Sequence, residues 1–349
     1  MLIRINRLYI LFQMALKSGH RVVPVVFEEA VKQYEQFLAY QTGTIRLDPD
    51  GWFFTSHFIT FGDKYYDFKF KPSDVVIVTY PKCGTTWTQE IVWTMMHNPN
   101  FDNPKEKLPA MVRSPFLDFD HVMHGLPVNV TGPGSFLYDV FHQAHPTRDH
   151  KDGVFLQFAE LTEDPRIIKT HLPLSLLSKT MPKTCKVIYV ARNPKDVAAS
   201  YYHHSRLIRA HDFEGTMSQF VDHFVNDTLL WSPYWKHLKE GWNMKSLPNV
   251  HFMFYEDMKA NPKIEMLRLK NFLKVNLTMD QLNKIVHYTS FEEMKKREAD
   301  NMVGPNKHIM INSEVESKDG GFFRKGTTGD YKNKLSAEDI RKINKWTKE

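Results

Sequence analysis

Cysteine is scarce in this chain, long apolar runs are missing, and the common metal and nucleotide fingerprints are absent. Each gap removes a class of protein. Cys83 and Cys185 are the two cysteines in 349 residues, and neither belongs to a CxxC pair. That excludes a disulfide framework and a thiolate zinc site, and it favours a reducing, cytoplasmic setting. The NxS/T triplets at Asn129, Asn226 and Asn276 carry no meaning in such a setting. No HExxH or other metal spacing occurs, and no Walker-type GxxxxGK[ST]. No RGG, RRM or zinc-finger pattern accompanies the net charge of +6, so nucleic acid is not the expected partner and a small anion is. The apolar stretch Leu8–Leu16, behind Arg4 and Arg7, has the outline of a leader peptide. It is too short to span a bilayer, and no A-x-A site follows. Residues 1–24 are read as an N-terminal extension, or as the product of a start upstream of Met14. A single domain is expected over 25–349, without stable membrane insertion.

What the chain does contain is concentrated in VVIVTYPKCGTTW, residues 75–87. Val75–Tyr80 is an almost unbroken run of β-branched and aromatic residues, as in a parallel strand buried on both faces. Pro81 ends the ladder. TTWTQEIVWTMMH then carries apolar residues at helical spacing. A strand, a tight turn and a helix start aim free N–H groups and a positive dipole end at one point. Lys82, Gly84, Thr85 and Thr86 coincide there, which suits a phosphate-like anion better than a plain strand–helix joint.

Helix and strand signals alternate along the rest, predicting an α/β fold: one domain, a parallel central sheet flanked by helices, and a P-loop-like loop for a phosphate-like anion. A helix is expected over Val25–Tyr40, with short strands around Trp52–Phe58. Further strands are expected at Arg166–His171, Lys186–Ala191 and Val250–Tyr255. Helices are expected from Lys195, within Gly215–Trp242 with a break at Pro233, over Pro262–Leu273 and Met279–His287, and at the charged C-terminus. Residues 98–153 and 301–334 read as loops with short helices. In open α/β sheets ligands gather at the carboxyl ends of strands. Lys82, His171, Arg192 and Tyr255 all fall at such ends, with Ser200 two helical turns beyond Arg192.

YPKCGTTW, KTHLP (Lys169–Pro173), VIYVARNPKDVAASYYH (Val187–His203), FYEDM (Phe254–Met258) and FFRKGTTGDYK (Phe322–Lys332) resemble, in order, the signatures of the cytosolic sulfotransferase family. The resemblance spans roughly residues 60–335. It implies transfer of the sulfuryl group of PAPS (3′-phosphoadenosine 5′-phosphosulfate) to a hydroxyl or amine of a small, largely apolar acceptor such as a phenol, steroid or alcohol. PAP is left as product, and no metal is needed. The roles implied are as follows. Lys82, Cys83, Gly84, Thr85 and Thr86 hold the 5′-phosphosulfate, with Lys82 at the leaving oxygen. Arg192 and Ser200 bind the 3′-phosphate, and Arg324, Lys325 and Gly326 close over it. Trp87 and Phe291 sandwich the adenine, with Tyr255, Thr289 and Ser290 near its polar edge. His171 is the general base, and Lys169, two residues earlier on the strand, steadies developing charge.

Departures from the family pattern shape further expectations. Cys83 replaces a residue that is commonly Ser, and it reads either as a low-pKa, oxidisable thiol or as an inert small residue. His204 stands where an aromatic residue often faces the acceptor, implying a more polar pocket. The long stretch between Trp87 and His171, with SPFLDFDH and TGPGSFLYDVFHQAH, resembles the acceptor-side lid of arthropod members. The KxxxTVxxxE dimer motif is poorly met around Lys332–Arg341, which places the usual homodimer in doubt. Two alternative activities stay open: a nucleotide-dependent phosphoryl transferase, and a dehydratase acting through a sulfated intermediate, as in insect retinol dehydratase.

Overall fold

The computed structural model describes residues 14–123, 126, 131–301 and 307–349. The leader-like residues 1–13 and the triplet at Asn129 lie outside the described residues. At the centre are four parallel strands, β4 (Val75–Thr79), β5 (Ile167–Thr170), β6 (Lys186–Ala191) and β7 (Val250–Phe254), in the order β5-β4-β6-β7. Val75 pairs with Ile167 on one side and Lys186 on the other. β4 is therefore an interior strand, as is β6.

Its side chains alternate between two cores, as the two-residue period of a strand requires. Val75 and Ile77 pack with Ile91 and Trp93 of the Thr85–His97 helix, whereas Val76 and Val78 face the larger core that contains Phe155 and Leu172. Val75–Val78 are fully buried. Each such side chain contributes roughly 1.5–3 kcal/mol relative to exposure, which explains the unbroken apolar run. At the opposite end of the sheet from the loop, Arg166 holds Asp74 through two hydrogen bonds of 2.8 and 2.6 Å. Its other N–H groups donate to the carbonyls of Ala159, Glu160 and Lys69.

A second sheet was only partly expected. β1 (Arg21–Pro24), β2 (Thr44–Asp48) and β3 (Trp52–Thr55) form an antiparallel meander. Thus the extension expected over 1–24 is corrected: β1 pairs with β2, and Leu16 is already in the core. The helix expected over Val25–Tyr40 is shorter, Phe27–Gln36 with a 3-10 turn after it, and the Phe58–Tyr66 helix was not foreseen. β3 exchanges hydrogen bonds with the Trp231–Ser232 backbone, Phe53 N to Ser232 O and Trp231 N to Phe53 O, both at 2.9 Å. The small sheet thereby fixes one wall of the site. No helix among the described residues is long and apolar enough to cross a membrane.

Candidate active site

The turn after β4 is built from backbone that ordinary residues avoid. Lys82 has φ +66° and Gly84 has φ +104°. A Cβ added at Gly84 would lie 2.7 Å from the Tyr255 ring, so glycine is required both by its dihedral and by the close approach of that ring. The Thr85–His97 helix starts immediately after, and its first N–H groups have no carbonyl partner within the helix. Thr85 turns its hydroxyl to Thr79 Oγ1, 2.7 Å away. Lys82 Nζ lies 4.1 Å from the Phe322 ring centre and 3.5 Å from His204 Nδ1.

His171 follows β5 on the same rim, and its ring is fixed in one tautomer. Nδ1 meets the Thr79 carbonyl at 2.7 Å. A carbonyl only accepts, so Nδ1 carries the hydrogen and Nε2 is the basic nitrogen. The backbone of His171 is clamped as well: its N–H donates to Asp118 Oδ1 at 3.1 Å, and its carbonyl accepts from His237 Nε2 at 3.0 Å. Asp118 also accepts from Thr170 Oγ1 and from Trp231 Nε1, both at 2.7 Å. Burial, aided by the Lys169 ammonium, holds the His171 imidazole well below the usual histidine range. Lys169 lies over the Phe116 ring at 3.9 Å, and burial brings it down to about 8.

Arg192 closes the third strand end. It donates to the Lys82 carbonyl at 2.9 Å and to Thr327 O at 3.1 Å, and it stacks on Tyr255 at 4.2 Å. The helix that follows, Pro194–Leu207, fastens the late loop: Asp196 accepts from Gly329 N and Tyr331 N, and His203 Nε2 bonds Gly321 O at 3.0 Å. Within that loop Gly326 lies flat on Phe291, where an added Cβ would come within 2.1 Å of the ring.

One cavity gathers Lys82, Gly84, Thr85, Thr86, Trp87, Lys169, His171, Arg192, Ser200, Tyr255, Phe291, Arg324, Lys325 and Gly326. Its charged lining fits an anionic nucleotide. Lys82, Lys169, Arg192, Lys259, Arg324 and Lys325 face two carboxylates, Asp196 and Asp330. Asp196 is engaged by backbone N–H groups, and Asp330 is paired with Arg324 and Lys325, both at 2.9 Å. Two buried donors on the lining residues, Trp87 Nε1 and Arg192 Nε, have no hydrogen-bond partner among the described residues.

Three expected side chains lie elsewhere. Thr289 is fully buried, with its hydroxyl on Ile285 O at 2.8 Å, and Ser290 Oγ accepts from Glu293 N; both act within their own helical segments. Cys83 points its thiol into the larger core, and burial pushes that thiol far up. The low-pKa reading of Cys83 is therefore corrected: core packing outweighs the helix end and the nearby cations.

Several contributors went unread in the sequence. Asp118, Trp231, Tyr40, His211, Lys259 and Thr79 sit in stretches with no periodic pattern or read as ordinary core. The lid reading of SPFLDFDH is also revised. Lys169 N donates to Pro115 O and Leu117 N to Lys169 O, both at 2.8 Å, so this segment runs alongside β5 and places Phe116 and Phe119 in the cavity wall. From the second segment, Leu137 and Phe141 pack in the core, and among the described residues none of 131–153 lines the cavity.

A family model described as the sulfotransferase domain matches residues 72–349. Among curated relatives, sulfotransferase 1A1 of Canis lupus familiaris is 36% identical, covering 76% of this chain and 79% of its own. Sulfotransferase 1E1 of Homo sapiens is 33% identical, covering 82% and 87%. Among solved structures, retinol dehydratase in complex with retinol and PAP superposes with a TM-score of 0.79 at 26% identity, covering 94% of this chain and 96% of its own. These matches remove the phosphoryl-transferase alternative. The chain belongs to the sulfotransferase family, enzymes that move the sulfuryl group of PAPS to a small acceptor.

Proposed function

We propose that His171 Nε2 takes the proton of the acceptor hydroxyl while Lys82 and Lys169 balance the charge that develops on the two oxygens. The observation that carries this reading is the 2.7 Å bond from His171 Nδ1–H to the Thr79 carbonyl. It turns the basic nitrogen outward on a residue that lines the cavity beside Lys82. As the imidazole gains its proton, the same carbonyl stabilises the imidazolium. PAPS supplies the sulfuryl group, and the bridging electrons leave with PAP. Lys82, as a point charge at the helix start, offsets the charge on that leaving phosphate. Arg192, Arg324 and Lys325 would hold the 3′-phosphate, with Trp87 and Phe291 on either side of the base. Phe116, Phe119, Met111 and Trp231 make the acceptor side largely apolar, which supports a phenol, steroid or alcohol. His171→Ala is expected to lower turnover by roughly 10²–10⁴ while PAP still binds. Retained turnover would overturn the assignment.

A second reading, dehydration through a sulfated alcohol, is favoured by the likeness to retinol dehydratase over almost the whole chain. Mass spectrometry of products from retinol and PAPS separates the two, since a sulfate ester and a dehydrated hydrocarbon differ in mass. A homodimer is compatible with the chain although the dimer motif is poorly matched, with Ser336 capping a helix and Arg341 paired with Glu338. Light scattering measures that state directly.

A further inference from the structure

Four imidazoles line the cavity; His203 is tied to the Gly321 carbonyl, and hydrogen-bond chemistry assigns which nitrogen each of the other three offers. His171 offers a lone pair at Nε2, as derived above. His211 is different. Its Nδ1 lies 2.6 Å from the Tyr40 hydroxyl. Tyr40 is buried, and burial holds its phenol well above the usual range, so it keeps its hydrogen. Among the described residues His211 is the one hydrogen-bond partner of that hydroxyl, so the phenol hydrogen goes to Nδ1, which accepts. A neutral ring that accepts at Nδ1 carries its hydrogen at Nε2. Burial brings His211 down to about 3, so the ring is neutral. His204 repeats the pattern: the Lys82 ammonium only donates, so Nδ1 accepts and Nε2 bears the hydrogen. The His204 and His211 rings are 5.5 Å apart. The Trp231 ring neighbours both, 5.2 Å from the His171 ring and 6.3 Å from the His211 ring.

We infer that His204 and His211 form a donor subsite for an oxygen acceptor, a carbonyl in the first instance, on the substrate whose hydroxyl meets His171. The pocket then has direction. One end takes a proton, the other gives hydrogen bonds, and the wall between is aromatic. The substrate class is a hydroxylated ring compound bearing a ketone or similar oxygen away from its hydroxyl. This inference rests on His171 meeting the acceptor hydroxyl.

Matched acceptors test it: 4-hydroxyacetophenone against 4-ethylphenol, and 4-hydroxybenzophenone against 4-benzylphenol. A carbonyl also alters the reactivity of the phenol, so the readout is the change in the ketone-to-hydrocarbon ratio of kcat/KM between wild type and variant. His211→Phe is expected to lower that ratio roughly tenfold, the value of one buried hydrogen bond. Tyr40→Phe, which frees His211 to shift its hydrogen to Nδ1, is expected to lower it in the same direction and serves should His211→Phe fail to fold. A ratio unchanged in the folded variants overturns the subsite. If neither phenol of a pair is turned over, affinities measured calorimetrically with PAP present give the same ratio. A preference for the ketone that His211→Phe abolishes there keeps the subsite and overturns the role of His171. Equal affinities overturn the subsite.

Discussion

The ring of His171 is tied to the backbone of Thr79, 92 residues earlier, by a 2.7 Å hydrogen bond. Thr79 ends the strand that leads into the anion loop, and its hydroxyl contacts Thr85 at the start of the helix beyond. The proposed base and the proposed phosphosulfate cradle therefore share one anchoring residue. Their spacing is set by neighbouring strands of a sheet and not by mobile loops.

Asp118 supports that geometry from behind. It accepts from Thr170, from the His171 backbone and from Trp231, all as donors to one carboxylate. In Asp118→Asn, half of the side chain becomes a donor facing donors. A loss of about 2 kcal/mol in stability is expected, with at least a tenfold fall in kcat as an estimate of roughly the same size in the barrier. Denaturant titration and steady-state kinetics measure the two separately. An unchanged kcat would show that Asp118 braces the fold alone.

The pH profile follows from two shifted groups. As the proposed base, His171 must be neutral to accept a proton, and its pKa is held well below 6.5, so the acid limb of kcat/KM is expected well below that value. In its proposed role Lys169 must be charged, and it loses its proton as pH rises through about 8, which is expected to set the alkaline limb. With an aliphatic alcohol as acceptor, which does not titrate, Lys169→Arg should remove the alkaline limb. An acid limb centred at 6.5 would contradict the buried, neutral His171.

Gly326→Ala tests the cofactor clamp. The new methyl has no room beside Phe291, and φ is +61°. Overpacking of this kind costs about 1–3 kcal/mol, so PAP affinity should fall roughly tenfold or more in calorimetry. Unaltered affinity would mean that the loop does not bear on the nucleotide.

Cys83 is expected to be inert. Its thiol is buried in the core and held in the protonated form, and burial pushes Cys185 up to about 12. Iodoacetamide should label neither residue in the native protein and both in urea, as read by intact mass. Native labelling of Cys83 accompanied by loss of activity would restore the redox reading.

At the far end of the sheet, Asp74→Asn leaves the Arg166 guanidinium buried with half of its ion pair removed. Breaking a buried pair in this way costs about 3–5 kcal/mol. A large shift in the urea midpoint with unchanged PAP binding is the expected result.

The sheet and its rim were legible because their signals are local. Val75–Val78 and Val187–Ala191 are unbroken apolar runs, and the residues just beyond each strand line the cavity. Lys82, His171, Arg192 and Tyr255 do meet on one edge. The two readings of Cys83 stayed open because sequence shows its neighbours along the chain, Lys82 and the helix start, but not the core its side chain enters. Asp118 and Trp231 were invisible for a related reason. Their value lies in one hydrogen bond across 113 residues, made by two segments with no periodicity of their own. Thr289 and Ser290 followed from the resemblance, but the Thr289 hydroxyl turns back onto Ile285 O and the Ser290 hydroxyl caps the next helix at Glu293 N.

The loop over the proposed 3′-phosphate site is contributed by residues 321–331 and held by Arg192, Asp196 and His203 from the middle of the chain. During synthesis, the anion cradle around Lys82 leaves the ribosome long before its cover does. The cover is tied to the cradle through the Pro194–Leu207 helix and Arg192 just before it, so whatever loosens that helix uncovers the cationic notch.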